Sequence, residues 1–74
     1  MQITIIGLSK TIQDAIESDY SSFIKKSTGN MITFNSDVAT LTTLSDSIEV
    51  SFDGYDHLYD FRIPHCDYWR IEIE

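Results

Sequence analysis

Residues Ser45–Ile63 read SDSIEVSFDGYDHLYDFRI, and this stretch decides the fold class. Ile48, Val50 and Phe52 alternate with Glu49 and Ser51, the period-2 pattern of a strand with one buried face. Asp53-Gly54 follows at once, the strongest turn signal in the chain, because glycine reaches the positive φ that tight turns require. Beyond it, Tyr59, Phe61 and Ile63 oppose Leu58, Asp60 and Arg62, which predicts a second strand over Leu58–Ile63, ended by Pro64. Two alternating runs around a turn predict antiparallel pairing.

Working upstream, Ser45-Asp46-Ser47 is a turn signal between Ile48–Phe52 and a Thr- and Val-rich run at Val38–Leu44, so a further hairpin is expected there. Met31–Phe34 and the β-branched Gln2–Gly7 each predict a strand. Between them the period changes to about 3.6. Ile12, Ala15, Ile16, Tyr20, Phe23 and Ile24 lie three and four apart, which predicts a helix from Thr11 that packs one stripe on the sheet. Ser9 or Thr11 serves as its N-cap, and Gly29-Asn30 after Lys25 and Lys26 reads as its C-terminal stop. Asp19 and the Ser21–Ser22 pair leave open a break into two short helices near Ser18–Tyr20. Downstream, Tyr68–Ile73 predicts a last strand with Trp69, Ile71 and Ile73 inward and Tyr68, Arg70 and Glu72 outward. The expectation is one α+β domain over residues 1–74. Its order is β-α-β-β-β-β-β, an antiparallel-rich sheet of five or six strands with one N-terminal helix across one face.

A chain of 74 residues with 42% hydrophobic residues and nine aromatics has material for one thin core. Cys66 is the sole cysteine, so no intramolecular disulfide braces it. No stretch approaches the length of a membrane span, and the N-terminal run lacks basic residues before its apolar part, so a cytoplasmic protein is expected.

The net charge of −7 is unevenly placed. Residues 1–30 balance Asp14, Glu17 and Asp19 against Lys10, Lys25 and Lys26. The whole imbalance lies beyond Asn30, where nine carboxylates face only Arg62 and Arg70. Five of them, Asp46, Glu49, Asp53, Asp56 and Asp60, recur every three or four residues with no cation among them. Tyr55, Tyr59 and Tyr68 neighbour Asp56, Asp60 and Asp67. Carboxylates beside exposed tyrosines suit arginine-rich surfaces, through ion pairs and through stacking on the guanidinium. Alternate side chains on a strand face recur about every 6.6 Å, comparable with successive phosphates on a nucleic-acid strand.

Chemistry finds less support. His57, His65 and Cys66 lie close in sequence but lack the paired spacing of a structural zinc site. Adjacent His65 and Cys66 on an extended chain point to opposite faces, which separates a thiol from its base. Gly7, Gly29 and Gly54 are isolated, so no phosphate loop forms, and five basic residues against twelve acidic ones disfavour direct nucleic-acid binding. No cofactor and no catalytic activity are expected.

In size, charge and lack of catalytic signature the chain resembles, across its whole length, the small phage-encoded anti-defence proteins, including anti-CRISPR proteins and DNA mimics. That resemblance implies a non-enzymatic inhibitor of a basic, nucleic-acid-handling partner such as a CRISPR effector or another defence nuclease. The contacts expected from the charge and tyrosine pattern are Asp46, Glu49, Asp53, Asp56, Asp60 and Asp67 with Tyr55, Tyr59 and Tyr68. The alternatives are a small antitoxin-like module that homodimerises through an apolar end strand, Gln2–Ile6 or Tyr68–Ile73, and a small metal or catalytic domain around His57, His65 and Cys66.

Overall fold

A computed structural model describes residues 2–35 and 39–74. The α+β architecture with antiparallel strands is present, and its strands are divided between two sheets. One contains β1 (Ile3–Ile6), β2 (Ile24–Thr28), β3 (Met31–Phe34) and β7 (Arg70–Ile73), in the order β2-β3-β1-β7. The other is the meander β4 (Ala39–Thr43), β5 (Ser47–Phe52) and β6 (Phe61–Pro64). All pairings among the described residues are antiparallel. The three-stranded sheet is thus inserted between β3 and β7, and β7 returns to pair with β1.

Both sheets feed one core. Ile3, Ile5, Ile32 and Phe34 from the first meet Ile48, Val50, Phe52 and Ile63 from the second, all of them buried. Aromatic rings make the joint. Phe52 stacks on Phe23 at a centroid distance of 4.0 Å, Tyr20 lies 4.4 Å from Phe61, and Phe34 reaches both Phe52 and Phe61. Such rings bury large apolar areas, which a chain this short needs.

The helix is shorter than its periodicity predicts. It runs over Lys10–Asp19 and is followed by a 3-10 turn at Ser21–Phe23, so the chain breaks where Asp19 and the two serines weaken helix propensity. Ile24 then begins β2, and Gly29-Asn30, expected as a helix stop, is the turn of the β2–β3 hairpin, with Gly29 at φ +60°. Gln13 is buried in the helix and donates to Ser27 Oγ at 3.2 Å, while Ser27 donates to Glu17; this polar clasp joins α1 to β2.

Two further expectations are corrected. Leu58 and Tyr59 belong to a 3-10 turn over His57–Tyr59, not to the strand that follows. The Asp56 side chain accepts from Leu58 N at 3.2 Å, a local side-chain bond that competes with strand pairing. Trp69, expected inward, is 85% exposed. The chain bends at Trp69, its N–H donates to Ile6 O at 2.8 Å, and its side chain lies against Gly7. The part of the Val38–Leu44 expectation that concerns Val38 falls outside the described residues.

Candidate functional site

The nine expected contact residues fall into three places. Asp46 lies in the β4–β5 turn, where its side chain accepts from Ser47 Oγ at 3.0 Å and its carbonyl from His65 N at 3.1 Å. Asp67 lies in the 3-10 turn His65–Asp67 and its carbonyl accepts from Ser9 N. Tyr68 is packed against the core, and its hydroxyl is 2.6 Å from His65 Nδ1. Asp46 lies apart from the rest, since the six residues of β5, rising about 3.3 Å each, separate it from Asp53, and Asp67 and Tyr68 follow Pro64, which pairs with Ser47 at the Asp46 end of β5.

The other six gather around the β5–β6 connection. Only Glu49 stands on a strand; Asp53, Asp56 and Asp60 occupy the turn segment 53–60. The carboxylates therefore form no strand-face ladder, and the 6.6 Å repeat is not how they are spaced. They form instead an acidic loop and the mouth of an open groove of about 400 Å³ lined by Thr40, Glu49, Ser51, Asp53, His57 and Asp60.

Counter-charges at this groove are few. Arg62 Nε lies 3.3 Å from Glu49 Oε2 across the β5–β6 pair, and His57 Nδ1 lies 3.3 Å from Asp60 Oδ2. Asp53 and Asp56 have no ion-pair partner among the described residues.

The loop also carries apolar surface. Leu58 is 87% exposed, Tyr55 53% and Tyr59 45%. They differ in how they are held. Tyr55 meets Phe23 edge-on at 4.8 Å, Tyr59 meets Phe23 at 5.9 Å, and the two tyrosines lie 5.9 Å apart. Phe23 is itself stacked on Phe52, so both tyrosines are tied to the core while each keeps a face to solvent. Leu58 projects from the turn that Asp56 caps. Sequence reading missed Leu58 by assigning it to a strand; a leucine directly after Asp56-His57, only four residues beyond the Asp53-Gly54 turn, was the available signal.

The histidines and the cysteine do not assemble. Both ring nitrogens of His65 are engaged, Nε2 with Leu44 O at 2.9 Å and Nδ1 with the Tyr68 hydroxyl. The carbonyl can only accept, so Nε2 carries a proton and donates to it, and Nδ1 forms the hydrogen bond with the Tyr68 hydroxyl. His65 is a brace between the β4–β5 turn and the segment leading to β7. Cys66 is exposed, and no group of three or more His, Cys, Asp or Glu is placed to hold a metal among the described residues. No helix among them is long and apolar enough to cross a membrane.

Compared with known proteins, the chain matches no family model, no curated protein and no solved structure.

Proposed function

We propose that this chain is a non-enzymatic acidic binding protein that inhibits a basic, nucleic-acid-handling partner by occupying its nucleic-acid-binding surface. The observation that carries the proposal is the segment Asp53–Asp60, where three aspartates share one loop with exposed Tyr55, Leu58 and Tyr59. Charge supplies steering and exclusion of wrong partners, while partly exposed rings and an aliphatic tip supply desolvated contact area. Tyr55 and Tyr59 are already ordered on Phe23, so docking costs little side-chain entropy at these positions. A CRISPR effector or other defence nuclease, encountered in the cytoplasm of a host cell by a phage-encoded protein, has the surface this loop fits. Competition with nucleic acid is the mechanism.

The test measures binding to a panel of CRISPR effectors and defence nucleases across a salt series, with displacement of bound nucleic acid as readout. Affinity is expected to fall as salt rises. Asp53→Asn with Asp56→Asn should weaken it about 5- to 30-fold, from about 0.5–1 kcal/mol per exposed charge. Binding that ignores salt and survives the double substitution overturns the proposal.

A further inference from the structure

Among the described residues the two sheets leave four strand edges, and three carry lysines, a proline or a polar face. β2 has lysines at 25 and 26 and a register shift between Ile24 and Lys26. β6 ends in Pro64, which has no N–H to give. β4 presents the exposed hydroxyl side chains of Thr40, Thr42 and Thr43, with little apolar surface to bury. β7 differs. It follows the exposed Trp69 and ends at Ile73, 53% exposed, and its exposed charges, Arg70 and Glu72, are of opposite sign, so they can pair with a second copy of the same edge.

The hydrogen-bond phase of β7 decides which of its backbone groups are free. Gln2 N donates to Glu74 O at 2.7 Å and Glu74 N to Gln2 O at 2.9 Å, so Gln2 and Glu74 form a hydrogen-bonded pair. In the observed register Thr4–Glu72 and Ile6–Arg70 fall in the same phase, which turns the N–H and C=O of Ile71 and Ile73 away from β1.

We infer that β7 is the pairing edge for a second copy of this chain, joined antiparallel about a two-fold axis through Ile71. With that axis, the two Ile71 residues exchange hydrogen bonds through their outward groups. Arg70 faces Glu72 of the second copy, and Glu72 faces its Arg70. These fall at non-hydrogen-bonded positions, where opposed side chains come closest. Arg70 Nη2 already lies 2.9 Å from Glu72 Oε1 within one chain, so both side chains are on the same side, and pairing converts two ion pairs into an alternating set of four charges. In the same register Ile73 of one copy lies opposite position 69 of the other, where the exposed Trp69 stands at the bend just ahead of the strand, so pairing brings together the two most exposed apolar side chains of this region.

Charge also selects the register. An axis through Glu72 sets two carboxylates face to face, and an axis through Ile73 opposes Glu72 to Glu74 twice. The Ile71 axis has no like-charge contact. Its two-fold symmetry closes the assembly at a dimer with respect to this edge.

Sedimentation velocity of the full chain, from about 1 µM to about 1 mM to span the affinities of small interfaces, should reveal a monomer–dimer equilibrium. Glu72→Arg and Arg70→Glu should each weaken self-association at least about tenfold, the cost of bringing like charges into contact. Mixing the two variants should restore a heterodimer, since the Ile71 register then opposes only unlike charges. Circular dichroism confirms that both are folded, and Ile73→Lys is a further disrupting variant at an exposed position. The Ile71 amide should also become protected from hydrogen exchange as concentration rises. A wild-type chain that stays monomeric throughout overturns the inference. So does a pair of charge variants that self-associate as well as wild type, or that fail to associate when mixed.

Discussion

Replacing Gly7 with alanine probes the seating of β7 against β1. Gly7 sits at φ +83°, and a Cβ there would lie 2.6 Å from Trp69 Cγ, 2.7 Å from Trp69 Cβ and 3.0 Å from its backbone nitrogen. Two costs follow. An L-residue in the left-handed region loses about 1 kcal/mol. The clash involves atoms at or next to the backbone of Trp69, so relief has to move the chain and strain the Trp69 N–H bond to Ile6 O, a bond worth about 1 kcal/mol net. With the lost packing the total is about 2–3 kcal/mol, against about 4–11 kcal/mol for the whole of a chain this long. The melting temperature should fall by about 10–20 °C. Urea unfolding followed by circular dichroism measures the change, and Gly54→Ala is the internal control. Gly54 has φ +82° with nothing within 4 Å of a built Cβ, so it carries the conformational cost alone, about 1 kcal/mol. A Gly7→Ala variant no less stable than Gly54→Ala would refute the placement of Trp69 over Gly7.

Phe52→Ala removes the ring that stacks on Phe23 and meets Tyr20, Phe34 and Phe61, and should cost about 3–5 kcal/mol in the same assay; a loss below about 1.5 kcal/mol would mean that the two sheets are not joined there. His65→Ala should cost about 1–3 kcal/mol by orphaning Leu44 O and the Tyr68 hydroxyl, while His57→Ala leaves stability unchanged; equal effects would contradict the bracing role. The Tyr20 phenol is pushed above its ordinary value of 10.0, first by burial and then by the charges of Asp19 and Asp60. The folded state therefore holds this proton more tightly than the unfolded one, so its contribution is intact below about pH 10 and is lost as pH rises from there through the folded value. Tyr20→Phe should remove that share of alkaline destabilisation, and a variant whose stability falls as steeply above pH 10 as the parent's would refute it.

The β4–β5 hairpin and the strand character of Gln2–Gly7 were legible because these strands bury largely alternate side chains, and burial is what writes a period of 2 into sequence; Met31–Phe34, buried at three successive positions, was legible from its apolar content. β2 was not. Lys25-Lys26-Ser27-Thr28 lies at an edge and buries no side chain fully, so it carries no apolar alternation, and Tyr20, Phe23 and Ile24 happen to continue the spacing of α1. The return of β7 to β1 joins the two ends of the chain, a non-local pairing that no window of sequence encodes. At the site, the acidic run was legible as composition, but not its division. Asp46 and Asp53 are seven positions apart on either side of β5, and a fully extended strand turns that short interval into a separation of the length of the sheet.

The acidic loop and the β7 edge belong to different sheets, so neither uses the residues of the other. Pairing through β7 would give a dimer with two acidic loops on one body. A ligand with two basic sites within reach would then meet the second loop at an effective concentration of about millimolar, and overall affinity would exceed that of one loop without any new contact. The Glu72→Arg and Arg70→Glu variants separate the contributions. Each keeps Asp53–Asp60 intact, so each should bind a single basic site as the parent does and lose only the gain from bivalence, which their equimolar mixture should recover.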